Sequence, residues 1–509
     1  MSRFNKNKKE TKKDQQSKEV VDYVLHLYNR AFADKQRLHS LWDECFKAYD
    51  GTLFKGQNPD YAPNEVSNHV FSTVETIKPI MLAQNPKIIA LPKEQEHFEK
   101  AEAVQEALDY EWKRTKMFSM LHECLTLGLI TGTFIIALLW DADEDRIGQI
   151  KPRIISPFNF FVDPMASSLD DAEYAGYASY VSLGEVLKFA PDKAEELKAA
   201  VQSPSDEWLT YGKDTNNLGE RKSLLYIELY LRDYSTVMEE TENEDGTITQ
   251  KYRLKYPNGR RIIVAGDVLL EDGENPYDDN GKFPFVIWCC YKNANKFWGM
   301  GEVEQIISPQ KYANEVVNII LQNAQLMSNQ VWILDKNSGV ARNSLTNRAG
   351  LVVRKNPGTE VRRDAPPPLP AYLQEIARLL REDIEHISGV YDVTRGERPT
   401  GITAAAAIQA LNEQAQGRIR LKVQALEETL SELGAMWIRR IKQFWDVERT
   451  IVVMGKDYQP VYKPMSKDMI DGDWDVIFSA GSTMPVNKAA RLEQLIRLSQ
   501  TIAEDGLPV

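Results

Sequence analysis

The sequence predicts an α+β fold in which long helices enclose and follow a mixed body. Three observations carry this expectation. Apolar residues recur at spacings of three and four over long stretches, above all 303–330 and 402–445. Short runs rich in β-branched and aromatic residues, bounded by turn residues, cluster between 134 and 291. The chain's 509 residues also exceed one ordinary core, so two or more subdomains are expected.

Composition narrows the function classes. A hydrophobic content of 43% with 27% charged residues is that of a globular protein. The net charge of −12 argues against a tight, general nucleic-acid binder, but it leaves room for local basic patches. Cys45, Cys124, Cys289 and Cys290 contain no C-x-x-C pair and are expected as reduced, structural thiols.

Taken in order, residues 1–18 hold seven basic and two acidic side chains with no apolar run behind them. That excludes a signal peptide and predicts a disordered basic tail, either solvated or touching an acidic partner such as nucleic acid. Residues 19–49 read as an amphipathic helix (Val21, Val24, Leu25, Tyr28, Phe32, Leu38, Leu41, Trp42) closed by Asp50-Gly51. A second helix spans about 67–84 and ends at Asn85-Pro86, and a third spans 97–127. The uncharged run from Cys124 to Trp140 falls short of the roughly 20 residues that cross a bilayer, so it reads as a helix end followed by a buried strand. Strands are expected at 134–140, 147–155, 224–231 and 283–291, with Asp245-Gly246 and Asn258-Gly259 as tight hairpin turns.

From residue 298 the texture changes. Residues 303–330 form a helical run roughly 40 Å long at 1.5 Å per residue. No charge occurs from Val316 to Gln330, where Asn318, Gln322, Asn323 and Gln325 alternate with apolar residues. Such a helix either packs between subunits or is an unusually amide-rich core helix. Residues 331–370 follow, with strand-like pieces at Val331–Leu334 and Leu351–Val353. This insert carries seven basic residues (Lys336, Arg342, Arg348, Arg354, Lys355, Arg362, Arg363) against three acidic ones. It is either a basic surface loop region or a docking site for an acidic partner. A second helix returns over 372–387, with Leu373, Ile376, Leu380, Ile384 and Ile387 on one face.

The segment Thr394–Arg420 opens with a doubly basic loop, Arg395, Gly396, Glu397, Arg398, Pro399 and Thr400. It runs into a helix whose first turns, Ala404, Ala405, Ala406 and Ala407, have little bulk. That helix continues to about 445, with Gly417 and Gly434 as candidate bend points. Strands at 450–454 and 474–478 and a helix over 485–502 complete the chain.

Catalytic constellations are missing. The glycines of Gly51-Thr-Leu-Phe-Lys-Gly56 have phosphate-loop spacing, but Gln57-Asn58 stands where Lys-Ser/Thr is required. Asp141, Asp143 and Asp145 start like a calcium loop, yet Arg146 replaces the turn glycine and Pro152 the bidentate glutamate. His122-Glu123 lacks a second histidine in register, and no G-x-S-x-G occurs. No enzyme, cofactor or metal site is expected.

The order of parts resembles the portal proteins of tailed bacteriophages, most closely those of short-tailed phages. The resemblance spans about 20–505 and rests on Ser67–Pro79 leading to Asn85-Pro86, Ile155–Pro164, Gly299-Met-Gly301 with Gln310 and Asn314, Gly401–Ala407 and Gly481–Pro485. It implies a ring, usually of twelve copies, at one capsid vertex. Residues 19–297 would form an α+β wing, 298–330 and 371–393 the stem helices and 331–370 the clip. Residues 394–402 would be the tunnel loop, 403–447 the long helix behind it, 448–484 further wing strands, and 485–509 a C-terminal helix with a short or truncated crown.

In that frame Arg395, Glu397, Arg398, Pro399 and Thr400 would touch passing double-stranded DNA transiently and without regard to sequence, with Ala404–Ala407 behind them. Asn318, Gln322, Asn323 and Gln325 would pack between subunits. Arg342, Arg348, Arg354, Lys355, Arg362 and Arg363 would dock the terminase large subunit and tail adaptor proteins. Major capsid and scaffolding proteins are the other expected partners. No membrane is involved, and assembly in the host bacterial cytoplasm would precede residence in the virion. The alternative is a non-conducting structural head–tail adaptor or helical scaffold protein.

Overall fold

The computed structural model describes residues 2–54, 62–82, 87–94, 98, 100–144, 147–204, 206–212, 222–242, 248–279, 281–346, 348, 351–364, 367–391, 417–446, 449–454 and 459–479. In chain order the elements are α1 (Ser2–Tyr49), α2 (His69–Leu82), β1 (Lys87–Pro92), α3 (Ala101–Arg114), α4 (Met117–Thr131), β2 (Thr133–Asp141), β3 (Gln149–Ile155), β4 (Phe160–Val162), β5 (Tyr174–Ser182), α5 (Leu183–Phe189) and α6 (Ala194–Ala199). There follow β6 (Ser223–Leu231), β7 (Thr236–Glu242), β8 (Ile248–Leu254), β9 (Arg260–Ala265), β10 (Val268–Glu274), β11 (Phe285–Cys289), α7 (Glu302–Ser328), β12 (Val331–Leu334), β13 (Val361–Asp364) and α8 (Tyr372–Ser388). The described chain closes with α9 (Gly417–Phe444), β14 (Arg449–Met454), β15 (Pro460–Met465), α10 (Lys467–Ile470) and β16 (Trp474–Ser479). The fold is α+β, and the described residues fall into two compact units, one drawn from 1–42, 77–301 and 416–509, the other from 43–76 and 302–415.

The first unit is built on a five-stranded antiparallel sheet, β10-β9-β6-β5-β4, and a three-stranded one, β11-β2-β3. β6 and β5 pair over their whole length, from Tyr174↔Leu231 to Ser182↔Ser223. Alternation along β6 divides two cores. Ile227 and Leu229 pack with Val21, Val24 and Tyr28 of α1, whereas Tyr230 lies with Ile135, Tyr177 and Phe285. Glu228 is buried on that second side, where its carboxylate accepts hydroxyls from Tyr177 (2.5 Å), Tyr230 (2.6 Å) and Tyr226 (3.1 Å). Burial pushes the phenols of Tyr177 and Tyr230 well above their usual range, so they remain donors and the carboxylate is satisfied.

Two more polar anchors fix this unit. Lys35 of α1 is buried and donates to the carbonyls of Pro157 (2.8 Å), Phe158 (2.9 Å) and Phe160 (2.5 Å). Burial pulls its pKa well down, and three carbonyl acceptors matched to three N–H donors oppose that pull. On α9, Arg440 and Arg439 both reach Asp279, at 2.5 and 2.8 Å, and the Arg440 guanidinium stands 3.9 Å from the Tyr277 ring centroid.

Several expectations are corrected. The expected disordered tail at 1–18 is helical from Ser2, as part of α1, because the stretch to Tyr49 has no Gly or Pro and is rich in Lys, Glu, Gln and Arg, which favour helix. The single helix expected at 97–127 is broken into α3 and α4 at Lys116, whose backbone is left-handed (φ 53°). Asn258-Gly259 turns the chain, with Gly259 at φ 86°, but joins strands of different sheets: β8 pairs with β7, and β9 with β6 and β10. The Asp245-Gly246 turn and Asn85-Pro86 lie outside the described residues. Gly434 sits inside an unbroken α9, where an added Cβ would come within 2.7 Å of Ile88 and 2.9 Å of Val476, so it lets the helix lie close on the β1–β16 pair. Strands at 450–454 and 474–478 are present as β14 and β16, whereas 402–416 and 485–502 fall outside the described residues. No described helix is long and apolar enough to cross a membrane.

His39 sits fully buried against Phe32, Trp42, Phe158 and Trp208, and neither ring nitrogen has a hydrogen-bond partner. Burial, with the Lys35 charge adding to it, lowers its pKa to about 3. The unfolded imidazole takes a proton near pH 6.5, so the native state loses stability as pH falls from about 6.5 toward 3. His39→Phe keeps the aromatic packing and is expected to flatten that part of the profile. Thermal melts of both proteins at pH 8 and pH 5 check this: the variant should lose less Tm between them.

Candidate functional site

The basic loop with Arg395, Glu397, Arg398, Pro399 and Thr400, and the helix start Ala404–Ala407, lie within 392–416, outside the described residues. The remaining expected residues fall in the second unit, on α7, α8 and the insert between them.

α7 begins with Glu302 and Glu304, carboxylates that suit the positive end of a helix dipole. Along it Gln310, Asn314 and Asn318 recur every four residues and therefore share a face. They bind the main chain of the segment leading into α2. The Gln310 amide accepts from His69 N (2.9 Å) and donates to Ser67 O (2.7 Å). Asn314 accepts from Ser67 N (3.0 Å). Asn318 accepts from Glu65 N (2.9 Å) and donates to Glu65 O (3.0 Å). Residues 65, 67 and 69 are thus held at alternate positions, as in a strand ladder whose second strand is made of side chains.

The same segment carries a joint. Asn68 Oδ1 accepts from Phe71 N (2.9 Å) and so caps α2, while its Nδ2 donates to Ala48 O (3.2 Å) and Tyr49 O (2.7 Å), the last carbonyls of α1. Tyr49 adds a hydroxyl bond to Glu75 (2.6 Å), and Lys311 of α7 pairs with Glu44 of α1.

Of the amides expected between subunits, Asn318 bonds the Glu65 main chain and Asn323 donates to Pro367 O (3.4 Å). Gln322 is half-buried and Gln325 exposed. The outward surface of α7 also carries an apolar row. Tyr312, Ile319 and Leu326, seven residues apart on α7, are 58%, 43% and 44% exposed. α8 is apolar on two sides: Ile384 is buried and Leu373, Ala377 and Leu380 half-buried, whereas Tyr372, Ile376, Leu379 and Ile387 are exposed. The single face expected from Leu373 to Ile387 therefore mixes both, with Ile376 and Ile387 turned outward. Apolar residues in rows on two neighbouring helices exceed the scattered exposure of an ordinary surface.

In the insert, β12 and β13 pair antiparallel from Val331↔Asp364 to Leu334↔Val361. The strand expected at Leu351–Val353 does not form; Leu351 N bonds Arg348 O in a local turn, and 361–364 supplies the partner. Arg342, Arg348, Arg354, Lys355, Arg362 and Arg363 are all exposed. Arg363 lies over the Trp332 ring at 4.4 Å and Arg362 stands 3.5 Å from Glu360, while Lys355 donates to Thr359 O (2.6 Å). Basic side chains held this way on an exposed hairpin can meet an acidic surface.

The family model for phage P22-like portal proteins matches residues 55–508. No curated protein matches the chain.

Asn68→Ala should destabilise the protein by about 2 kcal/mol, from one lost cap and two lost donor contacts. Asn68→Ser, which keeps an oxygen able to cap α2 and is too short to bridge to Ala48 and Tyr49, should fall between the two. Urea denaturation midpoints of the three proteins check both expectations.

Proposed function

On the premise that this chain belongs to the phage P22-like portal protein family, we propose how its parts carry out a portal's work. A portal occupies one vertex of the phage capsid, where the genome is packaged and later leaves; the membership therefore places this chain in the virion and in a homo-oligomeric ring. Portals are structural proteins, and the chemistry of packaging belongs to a separate motor.

In our reading the ring has twelve copies, closed by one heterologous interface repeated around the axis. The exposed rows on α7 and α8 form the two halves of that interface, with Gln322 and Gln325 at its edge. The observation that carries this is the outward apolar row Tyr312, Ile319 and Leu326, which has no use in a monomer. α7 and α8 are then the stem and 331–370 the clip, where Arg342, Arg348, Arg354, Lys355, Arg362 and Arg363 meet the terminase large subunit during packaging and the tail adaptor afterwards. Residues 19–297 and 448–484 make the wing, facing the major capsid and scaffolding proteins. Residues 394–402 line the tunnel, where Arg395 and Arg398 touch DNA phosphates loosely, Glu397 limits the attraction and Ala404–Ala407 back the loop. Assembly takes place in the host cytoplasm.

Two outcomes test this reading. Ile319→Glu with Leu326→Glu should abolish rings in negative-stain images while helix content by circular dichroism is unchanged, because both side chains are already exposed. Rings that survive would remove α7 from the interface, and monomers or filaments from the unaltered chain under all assembly conditions would sink the ring itself. Arg362→Glu with Arg363→Glu should weaken adaptor or motor binding by about tenfold or more, measured by pull-down or calorimetry, with rings intact.

A further inference from the structure

α1 is longer than its core requires. Burial along it starts at Val21, while Gln15, Gln16, Lys18 and Glu19 are exposed, yet the helix extends back to Ser2. Residues 2–18 carry Arg3, Lys6, Lys8, Lys9, Lys12, Lys13 and Lys18 against Glu10 and Asp14, a formal +5. The whole chain is −12, so the remainder is −17 and of opposite sign. Lys6, Lys9 and Lys13, and Lys8 and Lys12, recur at spacings of three and four, the repeat of the helix they occupy. This stretch also lies outside residues 55–508, the part the portal family accounts for.

We infer that the N-terminal turns of α1 are a binding element for double-stranded DNA, acting on the phosphate backbone without sequence preference. Composition decides against other occupants. Phe4 is the one large apolar residue between Ser2 and Lys18, whereas a protein interface buries an apolar centre and a membrane-surface helix needs an apolar face. Charge alone is left, and duplex DNA is the partner for which charge alone suffices, through release of condensed counterions. Because the backbone is already helical, binding avoids the cost of ordering a flexible tail. At about 1.5 Å per residue the 17 residues span about 25 Å, enough to lie along several phosphates. The inference rests on the portal reading only for the presence of DNA.

The test compares the full-length protein with a variant carrying Lys6→Gln, Lys8→Gln, Lys9→Gln, Lys12→Gln and Lys13→Gln, which leaves residues 2–18 formally neutral. Fluorescence anisotropy with a labelled mixed-sequence duplex reads affinity from 50 to 200 mM salt, and negative stain reads assembly separately. With five lysines engaged, the unaltered protein should lose about 500-fold in affinity across that range. The glutamine variant should bind far more weakly at 50 mM with a salt slope smaller by about four to five, and lysine-to-arginine replacements should bind like the original. Equal affinity and slope in the glutamine variant would overturn the inference while rings in both samples left the portal reading standing. Loss of rings together with DNA binding would overturn it too, by making the helix an intersubunit arm.

Discussion

Main-chain groups outside a helix must find partners, and for Glu65, Ser67 and His69 in the second unit side-chain amides supply them. Among the described residues the segment between α1 and α2 has no neighbouring strand, so Gln310, Asn314 and Asn318 act as one, and Asn68 closes the ends of both helices. An amide suits this because it carries donor and acceptor at once and adds no charge. The contacts read Glu65, Ser67 and His69 through their backbones, so the spacing on α7 decides the fit. The position of α7 against the chain entering α2, and with it the placing of the outward apolar row, follows from those few bonds.

The first unit solves a related problem with buried charge. Lys35 holds three carbonyls of the 157–160 turn, Glu228 gathers three tyrosine hydroxyls between sheets, and Asp279 ties the loop before β11 to α9 through two arginines. Each is costly to bury alone and acceptable once satisfied, so each fixes one arrangement more firmly than it adds stability. Apolar packing alone would tolerate small slips between sheets and helices; these polar points do not.

Much of the architecture was legible in the sequence. Three- and four-residue periodicity located α7, α8 and the core-facing part of α1, and the charge count isolated the basic insert. Local propensity misled where tertiary partners decide. Leu351–Val353 has strand composition, yet the pairing goes to Val361–Asp364. Lys116 carries no sequence sign of its left-handed backbone. The amides of α7 stand out in the sequence, but an amide serves a neighbouring subunit or its own backbone equally well, and periodicity cannot tell which side of a helix is already covered. The same ambiguity merged the two apolar sides of α8. Gln310 and Asn314 stood among the residues that carry the family resemblance, and their four-residue step to Asn318 was the available signal for the ladder.

The cation–π contact in the insert has an optical consequence. Of the ten tryptophans in the chain, Trp332 alone belongs to the second unit, and the others fall in the first. It lies half-exposed under the Arg363 guanidinium, whereas Trp42, Trp288, Trp437 and Trp445 are fully enclosed. Enclosed indoles emit at shorter wavelength than wetted ones, so Trp332 contributes to the red edge of the intrinsic fluorescence together with the half-buried Trp112, Trp140, Trp208, Trp298 and Trp474 of the first unit. Whatever displaces Arg363 from that ring alters the emission of the second unit's one tryptophan, so the basic hairpin carries its own label.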